Sequence, residues 1–262
     1  IELLGEKPTD FAYQVVKEND ADTLNYWFKP AAEKDSLVFV FKNEKQLDTL
    51  TLYPKELEAP DSLKITHEPK GSIYFKNPIK ISANVPLAKF EKDSMMLMNT
   101  KDSVAVDFKL DLKTYTNQLE VEFEKEEDKT YELQVLPGGV TSFFDEINDT
   151  LNIKVKTKKY SDYGNLVLTL QNIKSFPILV QLINDKDVVK YEQFSENAQI
   201  FEFNYLNPGE YYVRVVYDEN ENLKWDSGNY LQNIQPEMVD YSTQSIKIRA
   251  NWDDSHVISL PD

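Results

Sequence analysis

Residues 211–228 read YYVRVVYDENENLKWDSG, and the change of character halfway along that stretch decides the architecture. Over 211–217 large apolar residues alternate, as they do in a strand with one face in a core. From Asp218 the chain becomes a loop that sets Asp218, Asn220, Asn222 and Asp226 at two- and four-residue steps. No other segment gathers oxygen ligands so tightly. The same period of two recurs along the chain, and nowhere does a long helical period replace it. The expectation is therefore an all-β protein of tandem sandwiches.

Composition bounds the rest. With 262 residues the chain suits two or three domains, and 41% apolar residues suffice for packed cores. Seven glycines and no long polar tract set it apart from disordered chains. No apolar run approaches the ~20 residues of a spanning helix. The chain opens at Ile1 with no basic or apolar leader, the expectation for a mature or excised fragment. A formal charge of −16, from 45 acidic against 29 basic residues, repels phosphate backbones and argues against nucleic-acid partners. Cysteine is absent, which removes disulfides, thiolate nucleophiles and cysteine-held metals together.

Three modules are expected. In residues 1–60, short β-branched or aromatic runs at 11–15, 23–28, 37–41 and 49–52 alternate with charged turns. Leu24, Tyr26 and Phe28 share one face of their strand, with Asn25 and Trp27 on the other. This makes a thin sandwich, with residues 54–60 as its exit linker. Residues 61–159 offer seven candidate strands, at 63–66, 79–85, 95–98, 104–110, 119–123, 131–135 and 151–157, the number that an immunoglobulin-like sandwich requires. Tyr131 stands where a tyrosine corner belongs, its ring packed and its hydroxyl bonded to backbone. Over 120–129, Val121 and Phe123 alternate with glutamates and predict a strand with an acidic hairpin tip, and Gly138-Gly139 reads as a hairpin turn. Residues 160–262 form the third module, with strands around 166–170, 178–183, 200–203, 211–217, 245–250 and 257–260. Leu206-Asn207-Pro208-Gly209 predicts a turn in which glycine accepts positive φ.

Segments of these modules resemble known families. The run NVPLAKFEKDSMML, then DKTYELQVLPGGV, then FDEINDTLN is similar in order to the bacterial Ig-like domain first named in S-layer proteins. LNPGEYYVRVVYDENENLKWDSGNY resembles the transthyretin-like and carboxypeptidase-regulatory-like β-domains of bacterial surface proteins. The tandem order and the finish RANWDDSHVISL look like the C-terminal half of Ig-like-domain lipoproteins of Bacteroidota. That resemblance implies an exported, lipid-anchored chain at the outer membrane, at the cell surface or in the periplasm. Its implied partners are an outer-membrane β-barrel or sister lipoproteins.

Aspartate, a hydroxyl residue, then an apolar residue occurs seven times, with Thr23, Ser36, Thr49, Ser62, Ser94, Ser103 and Thr150 as the hydroxyl members. Residue frequencies predict about one chance copy. One cause is structural: aspartate closes a turn and the hydroxyl residue leads into a strand. The other is modification, since the tripeptide looks like the O-glycosylation motif of secreted Bacteroidota proteins. The first four copies are spaced thirteen residues apart, which fits hairpin repetition.

For the acidic loop two readings stand. Against the calcium pattern D-x-[DN]-x-[DN]-G-x5-E, Asp218, Asn220 and Asn222 match the first three ligand positions. Lys224 offers its carbonyl and Asp226 a carboxylate, so calcium is the one cofactor the sequence suggests. Leu223 replaces the glycine of the pattern and Asn229 its bidentate glutamate, which places affinity near roughly 10⁻⁴–10⁻³ M. The other reading is an Asx-turn loop held by its own amides, with Trp225 as a lid. Catalytic groups do not assemble, so no catalytic residue is assigned and no enzyme is expected. His67 and His256 lack a His-Glu-x-x-His pattern, and Asp253, Asp254, Ser255 and His256 sit on adjacent strand positions that point to opposite faces. The function expected is structural or interactive, with calcium-assisted carbohydrate binding through Trp27, Trp225 or Trp252 as the alternative.

Overall fold

The computed structural model describes residues 2–4, 10–18, 23–29, 36–42, 47–53, 62–229 and 233–261. Residues 54–60, expected as a linker, lie outside them. The chain divides into two compact units, Ile1–Lys158 and Lys159–Asp262, where three modules were expected. Both units are all-β.

The first unit begins with β1 (Glu2–Leu3), β2 (Ala12–Lys17), β3 (Leu24–Lys29), β4 (Leu37–Lys42) and β5 (Leu47–Leu52). One sheet has the order β1-β4-β5 and a separate hairpin pairs β2 with β3. Alternation places Leu37 and Phe39 inward with Leu3, and Phe11, Tyr26 and Phe28 pack over them. Trp27, on the opposite face of β3, instead meets Phe144 edge-on at 6.0 Å. The Lys17 N–H donates to the Tyr115 carbonyl at 2.8 Å, and Lys29 pairs with Asp145 at 2.6 Å. These contacts tie the β2–β3 hairpin to residues beyond 60.

That larger part holds β6 (Ile65–Glu68), β7 (Gly71–Ile73), β8 (Ile79–Ala83), β9 (Leu87–Phe90), β10 (Met95–Asn99), β11 (Val104–Ala105), β12 (Lys109–Lys113), β13 (Gln118–Glu122), β14 (Thr130–Val135), β15 (Val140–Ser142) and β16 (Leu151–Thr157). The main sheets run β11-β10-β14-β16-β7 and β12-β13-β8-β6, with β15-β9 as a short ribbon. Ile79, Ile81, Leu119 and Val121 from one sheet meet Leu97, Tyr131, Leu133, Val135, Ile153 and Val155 from the other in a single core. β13 pairs with β8 and β12, whereas β14 pairs with β10 and β16. The acidic segment after β13 is therefore a crossing between sheets and not a hairpin tip. Gly138-Gly139 likewise joins strands of different sheets, since β15 pairs with β9.

The second unit comprises β17 (Gly164–Gln171), β18 (Ile178–Ile183), β19 (Val189–Ser195), β20 (Ile200–Leu206), β21 (Gly209–Tyr217), β22 (Val239–Tyr241), β23 (Ile246–Ile248) and β24 (Asp253–Ser259). One sheet is β20-β17-β24, and the other is β19-β18-β21-β22 with β23 also on β21. Leu166, Leu168 and Leu170 from the first layer pack on Ile178, Val180, Leu182, Val213, Val215 and Tyr217 from the second. The last strand, β24, runs parallel to the first, β17, from Asn165↔Asp253 to Gln171↔Ser259. Gly209 does not take positive φ; the residue that does is Tyr205, at 60°, within β20 just before the turn of 206–209. It falls opposite a register shift between Gly164 and Leu166, where the Asn165 side-chain oxygen accepts the Tyr205 N–H at 2.9 Å.

Candidate functional site

β21 delivers its last residues into the buried edge of the second core. Tyr217 and Asp218 are both fully buried. The Tyr217 hydroxyl donates to Asp240 Oδ2 at 2.7 Å, and Lys174 Nζ approaches the other oxygen of Asp240 at 3.1 Å. Burial, and then the bond to the Asp240 carboxylate, push the phenol up to about 12.

Asp218 then turns the chain. Its Oδ1 accepts the Asn222 N–H at 3.1 Å and its Oδ2 the Leu223 N–H at 2.9 Å. Asn220 and Asn222 each form an Asx turn, their Oδ1 atoms accepting the N–H groups of Asn222 and Lys224 at 3.1 and 2.9 Å. Their Nδ2 atoms converge on Asp226 Oδ2 at 2.5 and 2.7 Å. Glu221 and Leu223 adopt φ of 58° and 61°, so Leu223 takes the left-handed turn without glycine.

The structure thus brings together the side chains of Asp218, Asn220, Asn222 and Asp226, and Lys224 joins them through its N–H. These are the residues that could hold a calcium ion. For a cation to enter, both asparagine amides must turn an oxygen toward Asp226, where each now presents a nitrogen. Asn229, at the position of the pattern's bidentate glutamate, instead exchanges two backbone hydrogen bonds with Ile234, at 2.9 and 3.0 Å. Among the described residues no three His, Cys, Asp or Glu side chains gather around a common metal position.

Sequence reasoning missed Glu237. Its two carboxylate oxygens accept the N–H groups of Glu219 at 3.1 Å and Asp226 at 3.0 Å, and its carbonyl accepts the Trp225 indole N–H at 3.0 Å. Glu237 lies eleven residues beyond Asp226, with no motif to mark it. Trp225 is held through its indole N–H and is 48% exposed. Gly228, at φ 75°, passes so close to residues 234–236 that an added Cβ would sit 2.6–2.7 Å from their backbone.

Elsewhere, Tyr131 is buried and its hydroxyl accepts the Glu126 N–H at 2.8 Å. Asp253, Asp254, Ser255 and His256 alternate across β24 in burial and form no relay. His67 lies half-buried on β6, and burial followed by the charge of Lys70 lowers its pKa. A groove of about 340 Å³ on the outer face of β10 and β14 is lined by Met96, Met98, Thr100, Ser103, Glu132 and Gln134. Of the hydroxyl members of the repeated tripeptide, Thr23, Ser36, Ser94, Ser103 and Thr150 stand directly before a strand. Thr49 lies inside β5, and Ser62 lies ahead of β6. Ser36 and Ser94 are half-buried and the other five are exposed.

No family model and no curated protein matches the chain. Among solved structures, the chain aligns with the TIE protein of Bacillus anthracis at 11% identity and a TM-score of 0.23, over 79% of this chain and 42% of that one. It aligns with BcpA, the major pilin subunit of Bacillus cereus, at 10% identity and a TM-score of 0.25, over 98% and 83%. A single-substitution variant of BcpA gives 12% and 0.24 over the same shares.

Proposed function

We propose that this chain is a non-catalytic, exported interaction module that presents sandwich surfaces within a larger outer-membrane assembly. The observation that supports it most is large apolar side chains exposed on strand faces and at strand ends. Met96 and Val104 beside the β10–β14 groove are 47% and 56% exposed, and Trp252 is 54% exposed. Methionine adapts to varied partner shapes, and tryptophan contributes strongly to binding where water is excluded. The partners proposed are an outer-membrane β-barrel or a sister lipoprotein. A photo-crosslinking residue placed at Met96 in the native envelope should link to such a protein, while one at exposed Lys64 should not. Recovery of the unlinked chain alone from both positions would sink the reading. Glycosylation at Thr23, Thr49, Ser62, Ser103 or Thr150 belongs to the same proposal, and intact-mass measurement of the exported protein tests it.

Calcium-assisted glycan binding is the second reading, supported by the half-exposed Trp225 next to Asp226 on the loop. Millimolar calcium should then raise the melting temperature relative to chelator, and Asp226→Asn should remove the difference. Asp218→Ala is the poorer probe, because that carboxylate holds two backbone amides with or without an ion. Equal melting in both conditions dispenses with calcium, and silence on glycan arrays in its presence dispenses with the sugar.

A further inference from the structure

Strand β5, LDTLTL, is exposed at all six positions. Its inner face carries Leu50 and Leu52, in register with Phe39 and Leu37 of β4. Phe39 and Leu37 are 3% exposed, whereas Leu50 and Leu52 are 45% and 44% exposed. The small core of the first sheet therefore runs out onto β5, which pairs with no strand but β4 among the described residues. Leu47 and Tyr53 on the other face are 68% and 74% exposed.

The edge also keeps main-chain groups to offer. In an antiparallel ladder alternate residues turn their N–H and C=O toward the partner strand and away from it. The Leu4 N–H donates to the Val38 carbonyl at 2.8 Å, so Val38 and Val40 turn toward β1, their partners Thr51 and Thr49 turn away from β4, and the Thr49 N–H is held by the Asp48 side chain at 2.7 Å. Thr49, and with it Leu47 and Thr51, thus faces the open side. Natural edges are blunted by lysine, proline or bulges. β5 has no lysine or proline, and its register with β4 is regular. Its single device is Asp48.

We propose that β5 pairs antiparallel with β5 of a second copy of this chain, about a twofold axis at Leu50. Around that centre the sequence is self-complementary. Thr49 meets Thr51 of the other copy as a hydrogen-bonded pair, twice over, and Leu47 meets Tyr53. Leu50 faces its own mate at the closer, non-hydrogen-bonded spacing. An isologous contact of this kind closes as a dimer, because it uses the β5 edge of both copies at once. The Asp48 carboxylate opposes it, because it must release the Thr49 amide and stands opposite Leu52. Two copies at −16 each also repel, so the dimer strengthens as salt rises. This inference is independent of the role proposed above and stands or falls separately.

Sedimentation of the full chain over about a hundredfold range of concentration should show a reversible dimer. Leu50→Lys sets like charges directly opposite one another and should raise the dissociation constant at least ~10-fold. Asp48→Ala should lower it. The chain has no cysteine, so Leu50→Cys should oxidise to a covalent dimer while Thr49→Cys, which faces Thr51, should not. Both positions are exposed, and circular dichroism checks that each variant folds. A monomer at every concentration overturns the proposal, as does a dimer indifferent to Leu50→Lys or equal crosslinking at 49 and 50.

Discussion

Two buried tyrosines show how one phenol can be settled in two ways. Tyr131 accepts a backbone N–H, and Tyr131→Phe removes that acceptor while keeping the ring. The expected cost is about 1 kcal/mol, seen as a lower denaturant midpoint at unchanged slope. Tyr217 donates to the Asp240 carboxylate instead, and its proton is held to about pH 12 against 10 in the unfolded chain. Its stabilisation is complete below pH 10 and drains away as pH rises from 10 to 12, roughly 2–3 kcal/mol in all. Denaturant melts on either side of that window should show the loss, and Tyr217→Phe should flatten it. A backbone position behaves differently again. Gly228→Ala brings both a strained φ and a methyl group against residues 234–236. It should loosen the 218–237 loop, read as faster amide exchange at Asp226 and Glu237.

At the scale of the element, β24 is the test of how the second unit is closed. It lies along β17 from Asn165 to Gln171, and the Asn165 side chain bonds Asp253 at 2.7 Å. Removing residues 253–261 should expose Leu168 and Leu170 and abolish the cooperative melting of that unit, and retention of a sharp transition would contradict this. Elements were legible from sequence where alternation was long and strong. Leu166, Leu168 and Leu170 announce β17, and 211–217 announces β21, because each places three or more large side chains on one face. Short strands such as β7, β9 and β15, of three or four residues, carry too little periodicity to be seen. Pairing was less legible still. Glu120 and Glu122 flank Val121 as they would in a hairpin, yet β13 and β14 part to opposite layers, because local alternation encodes a face and not a neighbour. The loop of 218–226 was visible through its Asp/Asn spacing. Glu237 was not, since a carboxylate that caps amides across a loop leaves no trace in local order.

For the molecule as a whole, charge is the dominant bulk property. Self-repulsion at −16 destabilises compact states and is screened by ions. Raising sodium chloride from roughly 10 mM to roughly 150 mM should therefore raise the melting temperature, most of all at neutral pH where the carboxylates are ionised. An unchanged melt across that range would show that the ten described ion pairs already balance the field locally. The parallel partnership of β17 with β24 has a consequence in time. A ribosome finishes β17 some eighty residues before it makes β24, so one side of β17 stays open through most of the synthesis of the second sandwich. Its leucine-lined layer is then accessible to chaperones until β24 emerges, so docking of this half waits on its own last strand.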